Sequence, residues 1–430
     1  MKKSKTFIHL GFYGMVVLFM MEGSAAEAQN LTSSPYSRFG IGSLLANSTG
    51  KSLAMGHLGI GINDSLSLNL ANPASLSRID STNFLFELGG FNRISHFASS
   101  SAGKTNNNLG FSYLAMGFPV TRWWKASLGI VPYSGVGYTM RDSEEHPTIG
   151  TIYSNFTGTG GVSRFFISSA ISPVKYVSVG ATFSYLFGPI NHSKAIIFPS
   201  DSMYFSTASV QTAVLGDIHL SYGAQVNIPL RNSHFITLGA TGQLASDIKT
   251  ESRQLVTTYG NSISDTLLYE VNPTNRTLLP SGWGAGMSFG KKNHYLAGID
   301  YRTLDWSKAA FLGVRDSMAA SREVIVGMEY TPNYRSLTRY MERVRYRAGF
   351  RYGESHIQLR GSQLQEFGIT FGIGLPIADR NRRGTFSSLN LSMEVGKRGT
   401  VSNSLIRESY GQITVQFTLH EYWFEKRRFN

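Results

Sequence analysis

The chain has 430 residues, of which 42% are hydrophobic and only 16% charged, and it contains 45 Gly, 27 Phe and 21 Tyr. This composition excludes a disordered chain and argues against a helical bundle or coiled coil. Because Cys is absent, disulfides, Cys-ligated metals, cysteine nucleophiles and a lipid-anchored Cys are excluded. A formal net charge of +13 would suit a nucleic-acid partner, but the export signal described next argues against that partner.

Residues 1–28 have the pattern of a cleaved export signal. Lys2, Lys3 and Lys5 form a charged start, residues 7–21 form an apolar run, and Ala26-Glu27-Ala28 places small residues where signal peptidase acts. The alternative is a membrane-anchoring helix, but the run is shorter than the roughly 20 apolar residues that span a bilayer. We therefore predict cleavage after Ala28.

The region after the signal, residues 29–81, is rich in Ser, Asn, Gly and Leu and lacks sustained alternation. It precedes a long stretch of predicted strands. A barrel of about fourteen strands is too wide for its wall side chains to fill. We therefore predict that residues 29–81 form an N-terminal plug inside it.

From residue 82 onwards, apolar residues alternate with small or polar ones at the period of a β-strand. In residues 413–420, for example, Ile, Val, Phe and Leu alternate with Thr, Gln, Thr and His. A soluble β-sandwich and an outer-membrane barrel both use such alternation. The face opposite the apolar residues is mostly Gly, Ser, Thr, Asn and Gln, and few residues are charged, which favours the barrel.

The sequence predicts about fourteen antiparallel strands within residues 82–420, joined alternately by tight turns and long loops. An even strand count places both termini at one end, which we assign to the periplasm. The predicted class is an all-β transmembrane outer-membrane barrel with an N-terminal plug, and residues 421–430 form a basic periplasmic tail. Long loops are predicted at 91–106, 139–157, 188–212, 246–280, 304–321, 354–365 and 397–410.

Fourteen basic residues fall at the predicted periplasmic turns and tail. Two interpretations are open: contact with anionic lipid headgroups of the outer membrane, or a docking surface for a protein partner. The residues are Arg122, Lys125, Lys175, Arg231, Lys291, Lys292, Arg335, Arg339, Arg380, Arg382, Arg383, Lys426, Arg427 and Arg428.

The predicted third strand is interrupted around Pro132. Pro cannot donate a hydrogen bond to a neighbouring strand, and Gly129, Gly135 and Gly137 weaken or bulge a strand. The barrel wall should therefore be kinked or broken there. A kink could open the wall sideways or merely shape the barrel.

Seven short motifs follow one another along the chain: AMG at 54–56, NPA at 72–74, SLGIVPYSG at 127–135, LPSGWGAG at 279–286, DYRTLDWS at 300–307, GMEYTP at 327–332 and YRAGFRY at 346–352. Taken in this order, they resemble the FadL/TodX family of outer-membrane transporters for hydrophobic compounds. The resemblance implies a plug whose gate is Asn72-Pro73-Ala74, and lateral release of an apolar ligand such as a long-chain fatty acid past the kinked strand. The chain ends resemble a Bacteroidetes-type branch of FadL-like proteins.

Polar residues on the predicted lumenal face form two groups. Asp217 and His219 share a strand face with Ser221, but same-face positions lie about 7 Å apart, too far for a catalytic triad. Glu329 faces an arginine row, which is suited either to neutralising charge or to binding a ligand carboxylate. The row consists of Arg345, Arg347 and Arg351.

Two functions follow as hypotheses. One is a channel for hydrophobic molecules; the other is a non-transporting accessory barrel of an outer-membrane protein secretion or assembly complex, because some FadL-like relatives do not transport. We expect no enzymatic activity, no metal site and no cofactor, since His57 has no ligating neighbours in sequence. Expected partners are outer-membrane lipids, a hydrophobic ligand and periplasmic or outer-membrane proteins, but not nucleic acid.

Overall fold

The computed structural model describes residues 30–422, apart from residues 47, 200–202, 261–263, 316–317 and 378–385. The predicted signal peptide, 1–28, lies outside the described residues, as do residues 423–430 of the predicted basic tail.

In the described part of the chain, fourteen antiparallel wall strands close into a barrel, which confirms the predicted barrel fold. β17 pairs with β2 and so closes the ring. β8 continues into β9, and β10 into β11, so each of these pairs forms one wall strand, while the short β1 lies inside. The strands are β1 (Ser43–Leu44), β2 (Asn83–Ala98), β3 (Gly103–Pro119), β4 (Trp124–His146), β5 (Gly150–Val174), β6 (Val177–Ile197), β7 (Ser206–Pro229), β8 (His234–Gln243), β9 (Ser246–Tyr259), β10 (Ser264–Leu279), β11 (Gly282–Lys291), β12 (Tyr295–Leu304), β13 (Ser321–Tyr330), β14 (Arg345–Leu359), β15 (Ser362–Pro376), β16 (Ser388–Arg398) and β17 (Arg407–Tyr422).

The two ends of the barrel differ. Asn83 at the start of β2 pairs with Tyr422 at the end of β17, so both lie at the same end, which we call the turn end. We call the opposite end the loop end. Two residues join β5 to β6 at the turn end, where the longest fully described connection, residues 331–344, contains the one-turn helix α1 (Tyr340–Arg343).

The outward face of the wall carries the apolar residues. Along β13, Val324, Val326 and Met328 are 41%, 46% and 59% exposed, whereas Ile325 between them is fully buried. Successive strand residues point to opposite faces, so an apolar band surrounds the barrel. This is the surface that a bilayer covers in outer-membrane barrels.

The predicted long loops are wrong at most positions, because the wall strands simply continue. Residues 139–157, for example, belong to β4 and β5 except for a short turn at 147–149. Backbone groups in an extended hairpin pair with each other, so alternating residues beyond the membrane remain strands. β4 to β7 run for 21 to 25 residues, against ten for β11, β12 and β13.

The helices are short. Besides α1, 3₁₀ turns occur at Pro35–Arg38, Gly50–Met55, Pro73–Arg78, Arg231–Ser233, Trp306–Lys308 and Ser402–Ser404. Within the described part of the chain, no helix combines the length and apolar character needed to cross a membrane.

Residues 30–82, which we call the inner segment, run through the interior of the barrel. Leu53, Leu68 and Leu76 pack with Tyr113 and Phe166 of the wall. A second cluster joins Met55, Leu58 and Ile62 to wall residues from β12 and β13. Because these contacts reach opposite sides of the wall, the inner segment crosses the lumen.

Candidate functional site

The centre of the inner segment is clamped to the wall by buried polar side chains. Asp300 of β12 accepts hydrogen bonds from the backbone N–H groups of Gly59, Ile60 and Gly61, at 2.7, 2.8 and 3.3 Å. Gln225 of β7 donates to the carbonyls of Ile60 and Ile62, both at 2.9 Å. Two strands on one side of the barrel, β7 and β12, which are separated only by β8 and β11, therefore hold the same four residues, and the backbone groups of these residues are satisfied by protein donors and acceptors.

A charged network connects the inner segment to β14 and β16. His57 Nε2 lies 2.9 Å from Glu394 Oε2, and Glu394 also binds Arg351 at 2.9 Å. Arg351 donates to Tyr410 at 2.6 Å and lies 3.4 Å from Glu323. Buried charges are tolerated when each has partners. Removing one member would leave the others uncompensated.

At the turn end, Glu329 and Arg347 of the arginine row form a second set of contacts. Arg347 binds Glu329 at 2.7 Å and Asn390 at 2.7 Å. Within the inner segment, Lys51 pairs with Asp64 at 2.6 Å. Burial alone would raise the pKa of the Asp64 carboxyl, but the charges of Lys51 and Arg345 outweigh burial and hold this pKa well below its ordinary range.

Wall glycines let the inner segment lie directly against the strands. A Cβ atom on Gly349 would overlap the backbone of Met55 and Gly56, and one on Gly327 would overlap the carbonyl of Met55. A Cβ on Gly180 would lie 2.8 Å from the nitrogen of Ala74. The many lumenal glycines therefore create backbone-to-backbone contact rather than open space.

Asn72, Pro73 and Ala74 lie inside this packed region. Asn72 is fully buried, and its side chain donates to the carbonyls of Ile60 at 3.0 Å and Ala224 at 3.2 Å. Its Oδ1 accepts from the N–H of Ala74 at 3.1 Å and caps the 3₁₀ turn that Pro73 begins. The motif thus joins the inner segment to β7.

The wall is open between β3 and β4 towards the loop end. These strands pair only from Leu114–Ile130 to Pro119–Lys125, although β3 stays paired with β2 up to Gly103. The β4–β5 register shifts between Pro132 and Ser134. The resulting opening, which we call the side gap, lies where the sequence predicted a broken strand; Gly129 lies just below it.

The start of the inner segment occupies the side gap. Asn108 of β3 donates to the Asn30 carbonyl at 2.9 Å. On β4, a Cβ at Gly135 would lie 3.2 Å from Leu31 Cβ, and one at Gly137 would overlap the carbonyl oxygen of Thr32. Glycine at positions 135 and 137 therefore makes room for the inner segment.

A cavity of about 390 Å³ remains between the inner segment and the wall. Its lining is mixed: Phe91 and Tyr133 lie beside charged side chains of the network, among them Arg351, Glu394 and Glu408. Pockets for apolar ligands are lined mainly by apolar side chains with few polar groups. This cavity has more charge than such a pocket needs.

Asp217 and His219 do not form a catalytic arrangement with Ser221. The Asp217 carboxylate accepts from the backbone N–H groups of Ile218 and Lys249, at 2.8 and 3.2 Å. His219 Nδ1 lies 2.8 Å from Ser246 Oγ. Both residues therefore support the junction where β8 continues into β9.

Sequence reasoning missed the role of Asp300 and the partner of His57. Asp300 was noted only as part of a motif, although it alternates with Gly298 and Arg302 on the inward face of β12. That alternation indicates an inward carboxylate. The partner of His57 is 337 residues away in sequence, so no local pattern identifies it.

Comparisons with known proteins give one family and one fold. A family model described as BamG matches residues 12–430, and no curated protein matches the sequence. The toluene transporter TbuX of Ralstonia pickettii has a similar structure, with 15% identity, a TM-score of 0.61, and coverage of 87% of this chain and 98% of that chain.

Two further structures are similar. The toluene transporter TodX of P. putida is 15% identical, with a TM-score of 0.60 and coverage of 89% of this chain and all of that chain. A FadL homologue of Pseudomonas aeruginosa is 9% identical, with a TM-score of 0.57 and coverage of 89% and 99%. These likenesses confirm the FadL-like fold of an outer-membrane barrel that the sequence motifs predicted.

Proposed function

The chain belongs to the BamG family, and from this membership and its filled lumen we propose that it is a non-transporting accessory barrel of an outer-membrane protein assembly or secretion complex. The observation that carries the proposal is the inner segment, which is fixed to the wall by buried polar groups and also occupies the side gap. In this function the barrel is a scaffold, and it performs no catalysis.

The energetics of opening support a fixed plug. Moving Gly59 to Ile62 away from the wall would leave Asp300, which is fully buried, without its backbone donors. A buried group that loses its hydrogen-bond partners costs about 1–3 kcal/mol, and a charged one costs more. The close contacts between the inner segment and the glycines of β6, β7, β8, β13 and β14 would be broken as well.

The second candidate is a channel for hydrophobic molecules, with Asn72-Pro73-Ala74 as gate and the side gap as lateral exit. The opening between β3 and β4, which the cavity adjoins at Val131 and Tyr133, favours this candidate. Release through the gap would require Leu31 and Thr32 to leave β4. The two functions therefore differ in whether the start of the inner segment must move.

A disulfide across the side gap tests this difference. Leu31 Cβ and a Cβ on Gly135 would lie 3.2 Å apart, close to disulfide range, and the protein has no native Cys. Cells carrying L31C/G135C, oxidised or reduced, would be assayed for outer-membrane protein levels and for uptake of radiolabelled fatty acid and toluene. L31C alone is the control.

The accessory function predicts that the oxidised variant supports normal outer-membrane protein levels, as the reduced one does. If wild-type cells take up fatty acid or toluene, and the oxidised disulfide abolishes this uptake while reduction restores it, the channel function would instead be established.

A further inference from the structure

At the loop end, the wall strands that are longer than their neighbours extend beyond the membrane and form a sheet there. This sheet, which we call the crown, consists of the loop-end parts of β4, β5, β6 and β7 together with β9 and β10. It has two lateral edges, because β4 lacks β3 as a partner there and the strand pairings of the described residues give β10 only β9.

The β10 edge is open for much of its length. Near the base, the loop after β12 covers it, because Leu278 pairs with Ala310 and Gly313 donates to the Arg276 carbonyl. Every residue from Ser264 to Thr274 is exposed. Backbone groups on the outer side of this stretch are positioned to pair with an added strand.

The two crown edges differ in chemistry. The β4 edge ends in Arg141-Asp142-Ser143-Glu144-Glu145, all exposed, and such charges protect an edge from pairing. The β10 edge instead presents Leu267, Leu268, Tyr269 and Val271, which are 61%, 43%, 63% and 42% exposed. Register shifts between Thr266 and Leu268 and between Asn272 and Asn275, together with Pro273, confine the regular part of this edge to residues 268–272. Apolar edges are sites of strand addition, and this regular part is the stretch that can pair.

Lipid does not cover these apolar residues. Trp283, 57% exposed near the loop-end start of β11, marks the upper border of the apolar band. Leu268 precedes it by about 15 residues along the same wall strand, or roughly 50 Å at about 3.4 Å per residue. Even at a strand tilt of about 40°, this path lifts Leu268 above Trp283 by more than the whole height of an apolar band, which is about 25 Å.

From these features we propose that the β10 edge of the crown binds an extended segment of a partner protein by strand addition at the cell surface. Asp265 and Glu270 are the charged residues of the stretch 264–272, so the complementary segment carries Lys or Arg. Its apolar side chains pack on the outer face formed by Tyr269, Val271 and Leu255. This inference rests on the proposed accessory function and gives it a docking surface.

Site-specific photo-crosslinking in intact cells tests the proposal. p-Benzoylphenylalanine replaces Tyr269 on the β10 edge, or Ser143 on the charged β4 edge as the matched control. We expect the Tyr269 probe to crosslink to one polypeptide within a segment of alternating apolar and basic residues. The Ser143 probe should not reach that segment.

A double substitution gives a second readout. Without any probe, Tyr269→Lys with Val271→Lys adds protecting charges and should lower at least tenfold the co-purification of the partner that the Tyr269 probe identifies, whereas Thr139→Lys with Ser143→Lys on β4 should leave that co-purification unchanged. Heat-modifiable migration on gels verifies that each variant is a folded barrel. Crosslinking of Tyr269 to lipopolysaccharide, to a second copy of this barrel, or to nothing would overturn the proposal.

The two proposals fail in distinguishable ways. If the extracted protein still carries a stoichiometric partner but the Tyr269 probe does not reach it, the docking surface is wrong and the accessory function stands. If the extracted barrel carries no protein partner at all, the accessory function itself is wrong.

Discussion

At the residue scale, the carboxylate of Asp300 fixes the centre of the inner segment to β12. It accepts three consecutive backbone N–H groups and lies 3.7 Å from Arg302, which donates to the His57 carbonyl at 2.7 Å. Ser288 of β11 adds a hydrogen bond to Gly61 at 2.6 Å. These wall side chains take the place of water for a backbone that forms no regular secondary structure.

We predict that Asp300→Asn loosens the inner segment. The amide keeps the size of the side chain but has one acceptor oxygen and directs N–H groups towards backbone donors, so the loss is on the order of 2 kcal/mol. Planar-bilayer recordings should show larger or more frequent current steps than wild type. Asp305→Asn, at an exposed carboxylate in the adjoining loop, is the matched control. Currents identical to wild type for Asp300→Asn would contradict a lumen sealed by this clamp.

At the element scale, close contact between a wall strand and a turn of the inner segment determines how the two pack together. β14 runs against the 3₁₀ turn Gly50–Met55, and the absence of a side chain at Gly349 lets the two backbones meet. Thr370 of β15 completes this contact by accepting from the Gly56 N–H at 2.7 Å and donating to the Ala54 carbonyl at 3.1 Å.

We predict that Gly349→Ala destabilises the folded barrel by about 1–3 kcal/mol, because the added methyl overlaps backbone that has no free space to move into. Gly411→Ala on β17 is the matched control, since a Cβ there meets nothing within 4 Å. The temperature at which each barrel loses its compact migration on semi-native gels measures the effect. Equal midpoints for the two variants would show that the inner segment does not press on β14.

The sequence was informative about individual elements but not about their long-range contacts. Alternation predicted the wall strands and the strand count, because period two depends only on adjacent residues. The register of β4 against β5 shifts between Pro132 and Ser134. The predicted loops were wrong because apolar and polar residues alternate less clearly outside the lipid, where the composition of the strands is similar to that of loops. The pairing of Asn108 with Asn30, or of His57 with Glu394, depends on the register of the closed barrel, which no local pattern contains.

A filled barrel with asymmetric ends characterises the whole molecule. The turn end carries Arg122, Lys175, Arg231, Lys291 and Lys292, whereas the loop end rises into the crown. The sequence predicts that the turn end lies in the periplasm. The proposed scaffold function requires a rigid barrel rather than an open pore, and the polar clamps and glycine contacts would supply that rigidity.

Native mass spectrometry of the intact particle, extracted gently from its own membrane, tests the central claim most directly. The accessory function predicts that the barrel is recovered with stoichiometric protein partners and without a bound small hydrophobic molecule. A lone barrel that carries an added mass of fatty-acid or aromatic-hydrocarbon size would contradict this account and establish the FadL-like channel in its place.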